Sequence, residues 1–207
     1  LATCRMTTSR STLTTEVKPM NESFERLIAR VETLITRIES VLPQPLSAPD
    51  WQASVAFRYR KRSSGHGSLE PVMHLGTMGL DDLKEIDEQK DKIRRNTEQF
   101  VSGVPANNVL LTGSRGTGKS SLIKACLNAY AARGLRLIEV DKADLTDLPD
   151  IVELVFDRAE KFIIYCDDLS FEEGESGYKA LKSILDGSIA ASTPNVLIYA
   201  TSNRRHL

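Results

Sequence analysis

Apolar residues near the start of the chain recur at steps of three and four, which predicts an amphipathic helix from Glu22 to Leu42. Asn21 is suited to cap its first turn, and Pro43 ends it. The apolar positions are Phe24, Leu27, Ile28, Val31, Leu34, Ile35, Ile38 and Leu42. This stripe must pack either on the body of the protein or on a partner helix, which could belong to a second copy.

The pattern then changes to alternation of polar and apolar residues, which predicts a strand from Ser54 to Arg62. A glycine-containing turn and a returning strand, Leu69 to Leu75, complete a small β-hairpin. Four basic residues lie beside Phe57 and Tyr59 in the first strand, namely Arg58, Arg60, Lys61 and Arg62. This cluster indicates either a nucleic-acid contact or, more simply, a solvated strand face with its apolar side inward.

From Leu80 onward, predicted helices alternate with short, almost wholly apolar strands. The predicted helices are Asp87–Val101, Gly118–Ala132, Leu148–Arg158 and Tyr178–Ala191. The predicted strands are Asn108–Thr112, Leu135–Asp141, Phe162–Cys166 and Val196–Thr201. This order is typical of an α/β domain in which helices cover both faces of a parallel sheet.

A phosphate-binding motif follows the first of these apolar strands. Gly113, Ser114, Arg115, Gly116, Thr117, Gly118, Lys119 and Ser120 match G-x-x-x-x-G-K-[ST] in full and open a helix, with Ser121 next in line. Glycines let backbone N–H groups converge on a phosphate, and the helix N-terminus adds partial positive charge. Lys119 is placed to reach the β- and γ-phosphates, and the Ser120 hydroxyl to ligate Mg²⁺. The motif therefore predicts binding of ATP with Mg²⁺.

Polar side chains follow the ends of two later strands. Asp167 and Asp168 follow Phe162–Cys166, at the tip of a buried parallel strand where ligands bind in open α/β sheets. Asp167 is suited to hold Mg²⁺, and Asp168 to orient or deprotonate a water molecule. Asn203 follows the next strand and could contact the γ-phosphate, although Asn is also a common turn residue.

Composition and charge narrow the classes of partner. The 207 residues carry 27 basic and 28 acidic side chains, which gives no global signal for nucleic acid or for an anionic membrane. No apolar run has the length of a membrane span, and three scattered cysteines make no disulfide framework. These features favour a cytoplasmic protein with reduced thiols. Residues 1–20 are expected to form a disordered tail.

The chain resembles the AAA+ ATPases, because a phosphate loop, an acidic strand end and a polar strand end follow one another in this order. The resemblance covers Leu80 to Leu207 and implies a P-loop three-layer sandwich with strand order 5-1-4-3-2. It makes Gly113–Ser120 the Walker A loop, Asp167-Asp168 the Walker B tip and Asn203 sensor 1. It also implies that Leu80–Gln89 contacts adenine and that the protein works as a homo-oligomer on a protein or nucleic-acid client.

Four stretches resemble, more narrowly, a family of bacterial AAA+ ATPases catalogued only as a domain of unknown function. They are Ile86–Lys90, Asn96–Phe100, Pro105–Asn108 and Cys166–Gly174. The expected organisation is a tail (1–20), a helix-plus-hairpin module (21–79) and an AAA+ core (80–207) that lacks its helical lid.

The chain departs from the AAA+ pattern at Asp168, where most members have Glu. Because Asp is one methylene shorter, slow hydrolysis is expected. Arg204 and Arg205 are candidates for an arginine finger by position only. An ATP-dependent switch with little hydrolysis is the main alternative to a remodelling ATPase, and a small-molecule phosphotransferase is a third. A GTPase is disfavoured because no N-K-x-D motif follows the acidic strand.

Overall fold

The computed structural model describes residues 20–39, 46–61, 67–170, 176–185 and 193–203. The helices are α1 (Met20–Glu39), α2 (Asp87–Val101), α3 (Lys119–Tyr130), α4 (Leu148–Val155) and α5 (Ser176–Leu185). The strands are β1 (Ala56–Lys61), β2 (Gly67–Pro71), β3 (Val109–Thr112), β4 (Leu135–Glu139), β5 (Lys161–Cys166) and β6 (Val196–Ser202). The tail expected before residue 20, Arg204 and Arg205 lie outside the described residues.

The chain divides into two compact units, one ending at Pro43 and the other running from Gln44 to Leu207. The first unit contains α1, which is the amphipathic helix that the periodicity predicts. Its seven apolar side chains between Phe24 and Ile38 are each between 43% and 60% exposed. No helix among the described residues is both long enough and apolar enough to cross a bilayer.

The second unit is built on one six-stranded sheet in the order β2-β1-β4-β5-β6-β3. Among the described strands, β1 and the four strands from β3 to β6 form a parallel sheet, and only β2 runs antiparallel to its neighbour. Numbered from the phosphate-loop strand β3, the core reads 1-4-3-2 across the sheet. This confirms the predicted AAA+ order for the four core strands that the structure describes.

The hairpin is present, and it extends the core sheet. Ala56, Phe57 and Arg58 of β1 pair in parallel with Leu137, Ile138 and Glu139 of β4. The sequence analysis grouped this hairpin with the N-terminal helix in the module 21–79, whereas its first strand, β1, hydrogen-bonds to the core strand β4. The reason is physical: β4 would otherwise expose an unpaired edge, and β1 covers that edge.

Two basic side chains of β1, Arg58 and Lys61, pair with acidic side chains of the core. The Arg58 guanidinium donates to Glu139 Oε2 from Nε at 3.1 Å and from Nη2 at 2.8 Å. Lys61 Nζ lies 2.9 Å from Asp147 Oδ2. Phe57 and Tyr59 are buried, so neither ring can stack on a base. The described part of the strand therefore has an apolar inner side and an outer side on which two of its basic residues pair with carboxylates; contact with nucleic acid stays a prediction.

Helices cover both faces of the sheet because successive side chains of each strand point in opposite directions. Phe162, Ile164 and Cys166 of β5 pack on one face, in the cluster that includes residues of α4 and α5. Ile163 and Tyr165 pack on the other face, against residues of α2 and α3. The result is the predicted three-layer α/β sandwich.

The strand order also fixes where polar residues gather. Because β5, β6 and β3 are adjacent and parallel, their carboxyl ends meet at one edge of the sheet. Thr112 at the end of β3 pairs with Ser202, and Cys166 at the end of β5 pairs with Ala200. The segments that follow these strands therefore converge, as expected for a ligand site in an open α/β sheet.

Candidate nucleotide-binding site

The loop between β3 and α3 has the backbone geometry of a phosphate cradle. Gly113, Gly116 and Gly118 have φ angles of 146°, 84° and 81°, which side chains rarely permit. Lys119 begins α3 directly after the last of these glycines. The N–H groups of the loop and of the first helical turn can therefore point at an anion.

Lys119 lies across this loop. Its Nζ donates to the carbonyl oxygens of Gly113 and Ser114, both at 2.8 Å, and to Asn203 Oδ1 at 3.1 Å. The ammonium group is thereby held between the loop and the end of β6. Phosphate oxygens that enter the loop would compete for the three N–H groups of this ammonium. Binding phosphate is the role that the motif predicts for Lys119.

The hydroxyl of Ser120 faces the acidic end of β5. Ser120 Oγ donates to Asp167 Oδ1 at 3.0 Å. Both atoms are hard oxygen donors of the kind that Mg²⁺ prefers, and Mg²⁺ in such sites takes its other ligands from phosphates and water. No group of three or more His, Cys, Asp or Glu side chains among the described residues forms a metal cage. The donor set thus fits Mg²⁺ bound together with a nucleotide.

Thr201 is a site residue that the sequence analysis did not single out. Its Oγ1 donates to Asp167 Oδ1 at 2.5 Å and accepts a hydrogen bond from the backbone N–H of Asp168 at 2.9 Å. Its carbonyl oxygen accepts from the N–H of Leu169 at 2.7 Å. One buried threonine therefore fixes three consecutive residues after β5. The signal available in the sequence was a hydroxyl side chain near the end of a mostly apolar strand.

Asp168 is held in an unusual backbone conformation beside Asn203. Its φ angle is 51°, in the left-handed region that few residues other than glycine and Asn or Asp adopt. Asn203 Nδ2 donates to Asp168 Oδ1 at 2.5 Å, while Asn203 Oδ1 accepts from Lys119. The amide of Asn203 thus links the phosphate-loop lysine to the second carboxylate.

The electrostatics of the site favour an ionised Asp167. Burial by itself raises the pKa of this carboxyl, but the hydrogen bonds from Thr201 and Ser120 help to outweigh burial, and the pKa lies below its ordinary value. Burial raises the pKa of Tyr165, which therefore stays neutral. A carboxylate that remains charged in a partly enclosed site is suited to a cation.

These residues line one cavity of about 330 Å³. Ten predicted site residues, from the loop and from both strand ends, line this cavity, and Thr201 lines it as well. The ten are Arg115, Gly116, Thr117, Gly118, Lys119, Ser120, Ser121, Asp167, Asp168 and Asn203. Gly113 and Ser114 are not among the residues that line it; their carbonyls accept from Lys119. Of the predicted site residues, the structure brings ten to one cavity and places two beside it.

The segment expected to contact adenine lies next to the loop. A methyl group built on Gly118 would lie 3.8 Å from Ile86 Cδ1 and 4.0 Å from Leu83 Cδ2. Both side chains come from the Leu80–Gln89 segment, which precedes β3. Leu83 is part of the hydrophobic core on this side of the sheet and Ile86 packs against that core, and contact of the segment with adenine stays a prediction.

Comparison with known families identifies the chain. Residues 52–207 match the family model described as "Protein of unknown function (DUF815)". The chain belongs to the DUF815 family. The match spans every strand of the sheet from β1 to β6 and the whole candidate site. None of the curated proteins matches the chain.

Solved structures resemble this DUF815 chain over part of their length. AMPPCP-bound DnaA from Aquifex aeolicus has a TM-score of 0.46 and 20% identity over 63% of this chain and 43% of its own. The Aeropyrum pernix ORC1 protein in complex with DNA has 0.47 and 15%, over 58% and 39%. PCH-2 of C. elegans has 0.42 and 20%, over 62% and 38%. The chain therefore spans about two fifths of the length of these proteins.

Proposed function

We propose that this DUF815 protein binds ATP with Mg²⁺ in the described cavity and hydrolyses ATP to ADP and phosphate. The observation that carries the proposal is the 3.0 Å hydrogen bond between Ser120 Oγ and Asp167 Oδ1 at the mouth of the phosphate cradle. A hydroxyl after the loop lysine and a carboxylate on a neighbouring strand end are the two protein ligands that P-loop enzymes give to Mg²⁺. The AAA+ resemblance of the sequence supports the same assignment.

Each residue has a distinct proposed role. The loop N–H groups and Lys119 bind the β- and γ-phosphates, and Ser120 and Asp167 hold Mg²⁺. When bound, Mg²⁺ neutralises charge on the phosphate oxygens. Asp168 accepts a proton from the attacking water, and Asn203 orients that water or the γ-phosphate.

Hydrolysis is expected to be slow for two reasons that concern Asp168. Its side chain is one methylene shorter than the Glu of most AAA+ enzymes, so water must lie closer to the backbone. Its Oδ1 also accepts from Asn203 Nδ2 at 2.5 Å, which occupies part of its acceptor capacity. This contact favours a second candidate function, an ATP-dependent switch that binds nucleotide and turns it over very little.

The wider proposal is a cytoplasmic oligomer that remodels a protein or nucleic-acid client. Cys126 and Cys166 are buried free thiols, in keeping with a reducing compartment. A neighbouring subunit would supply a positive charge to the γ-phosphate, as AAA+ proteins do. Arg204 and Arg205 remain candidates for that charge by sequence position.

The test is ATP turnover per protomer over a wide range of protein concentration, with Lys119→Ala as the blank and Asp168→Asn as the base variant. Turnover that rises with concentration and disappears in both variants supports the remodelling ATPase. ATP binding with turnover at the level of the blank supports the switch. A rate for Asp168→Asn equal to that of wild type would remove Asp168 from the mechanism.

A further inference from the structure

The phosphate loop contains a turn that one of its own side chains holds in place. Thr117 Oγ1 donates to the carbonyl oxygen of Ser114 at 2.9 Å, which fixes the turn from Ser114 to Thr117. Arg115 and Gly116 form the apex of this turn, and Gly116 has a φ angle of 84° that favours glycine. The side chain of Arg115 therefore starts from a backbone that the loop keeps in one conformation.

The ammonium group of Lys119 marks the end of the cavity from which this side chain starts. Lys119 Nζ lies 2.8 Å from the carbonyl oxygen of Ser114, which belongs to the peptide bond between Ser114 and Arg115. The same ammonium lies 3.1 Å from Asn203 Oδ1, and Asn203 is hydrogen-bonded to Asp168. Because Asn203 and Asp168 have proposed roles at the γ-phosphate, Arg115 leaves the loop next to the end of the cavity assigned to that group.

Among the described residues, two cationic side chains line the cavity, and they differ in their contacts. Lys119 donates to three acceptors of the protein itself. Arg115 is exposed, and within the part of the chain that the structure describes its guanidinium makes no hydrogen bond or ion pair. The two carboxylates that line the cavity, Asp167 and Asp168, accept hydrogen bonds from other side chains. Arg115 can therefore bind an entering anion without first losing a partner.

A guanidinium group is well suited to a terminal phosphate. It is planar and always charged, and its N–H groups match two oxygens of one phosphate. The γ-phosphate of a nucleoside triphosphate offers three such oxygens, and a diphosphate lacks the group altogether. In P-loop enzymes the arginine that contacts this phosphate comes from the same chain or from a neighbouring one. The place of Arg115 in the loop makes it a source within the same chain.

We propose that the side chain of Arg115 binds the γ-phosphate of ATP within its own protomer, so that the site distinguishes a nucleoside triphosphate from a diphosphate. This role belongs to the side chain, whereas the motif accepts any residue at this position and uses its backbone. The inference rests on the proposed function, because it needs a nucleotide in the loop. It adds one charge to the charge expected from a neighbouring subunit.

The experiment is calorimetric titration of the full chain, in the presence of Mg²⁺, with ADP and with AMPPCP, a triphosphate that cannot be hydrolysed between its β- and γ-phosphates. Arg115→Ala is compared with wild type. Arg95→Ala removes the same charge from an exposed position on α2 and is the matched control. Binding of ADP reports whether the loop is intact, because ADP uses the proposed phosphate contacts except those of the γ-phosphate.

The expected result is that Arg115→Ala binds AMPPCP at least about tenfold more weakly than wild type, while its affinity for ADP changes by less than about threefold. Arg95→Ala should bind both nucleotides as wild type does. An equal loss for the two nucleotides, or no loss for either, overturns the inference and leaves nucleotide binding by the loop standing. Absence of binding of both nucleotides by wild type overturns the proposed function, and the inference with it.

A mixing experiment tests whether the arginine acts within its own protomer. Lys119→Ala keeps Arg115 but lacks the loop lysine, so an excess of this variant offers the arginine to Arg115→Ala protomers. The affinity of Arg115→Ala for AMPPCP should stay weak in this mixture. Recovery of wild-type affinity would show that the arginine acts on a neighbouring subunit, and it would overturn the assignment to the same protomer.

Discussion

Thr201 Oγ1 donates a hydrogen bond to Asp167 Oδ1 at 2.5 Å, and this contact joins the ends of two neighbouring strands. The same oxygen accepts the N–H of Asp168. Thr201 therefore positions a proposed metal ligand and a proposed proton acceptor at once. Residues that orient a metal ligand in this way commonly affect metal affinity as much as activity.

Replacing Thr201 with Val is expected to weaken the response to Mg²⁺. Val has nearly the same shape but cannot donate to Asp167, so the carboxylate loses its orientation. The Mg²⁺ concentration for half-maximal turnover should rise about 10- to 100-fold, while Thr201→Ser, which keeps the hydroxyl, should stay near wild type. Equal Mg²⁺ dependence of the Val and Ser variants would show that the hydroxyl does not position the site.

Replacing Asn203 with Ala is expected to separate binding from hydrolysis. The amide links Lys119 to Asp168, and its loss leaves the phosphate loop intact. The turnover number should fall by about tenfold or more, with the dissociation constant for ATP changed by less than about threefold. Weaker ATP affinity with an unchanged turnover number, measured by calorimetry and steady-state kinetics, would place Asn203 in binding alone.

Much of this architecture follows from the sequence. The apolar strands between amphipathic helices predicted the parallel sheet, and Gly113, Lys119 and Ser120 predicted the loop at its edge. The pairing of β1 with β4 was not predictable, because alternation in Phe57–Lys61 shows that one face is buried without showing which strand lies alongside. Thr201 escaped notice for a related reason: its role depends on Asp167 of another strand, and sequence spacing does not report contacts between strands.

Asp147 is also expected to make a pH-dependent contribution to the stability of the second unit. Burial raises the pKa of this carboxyl, but hydrogen bonds from Lys61 and Tyr59 outweigh it and lower the pKa below its ordinary value. A lowered folded-state pKa stabilises the protein above the unfolded pKa of about 3.9, and the contribution is lost as pH falls through the folded-state value. Asp147 is thus expected to stabilise at pH 7 and much less in strong acid.

The measurement compares urea unfolding of wild type and Asp147→Asn at pH 7 and near pH 3. Because Lys61 is 40% exposed and partly screened, a difference of only about 1 kcal/mol is expected at pH 7. It should shrink toward zero near pH 3. Asp150→Asn, at an exposed position on α4, is the matched control and should show little change at either pH. A constant difference at both pH values would contradict the assignment.

ATP binding by the loop is the central claim, and calorimetric titration of the full chain with ATP and Mg²⁺ tests it most directly. Lys119→Ala removes the lysine that lies across the loop, and Lys124→Ala removes an exposed lysine on the same helix. The account predicts binding by wild type and Lys124→Ala, and at least about tenfold weaker binding by Lys119→Ala. Absence of binding in wild type, or equal affinity in all three proteins, would contradict it.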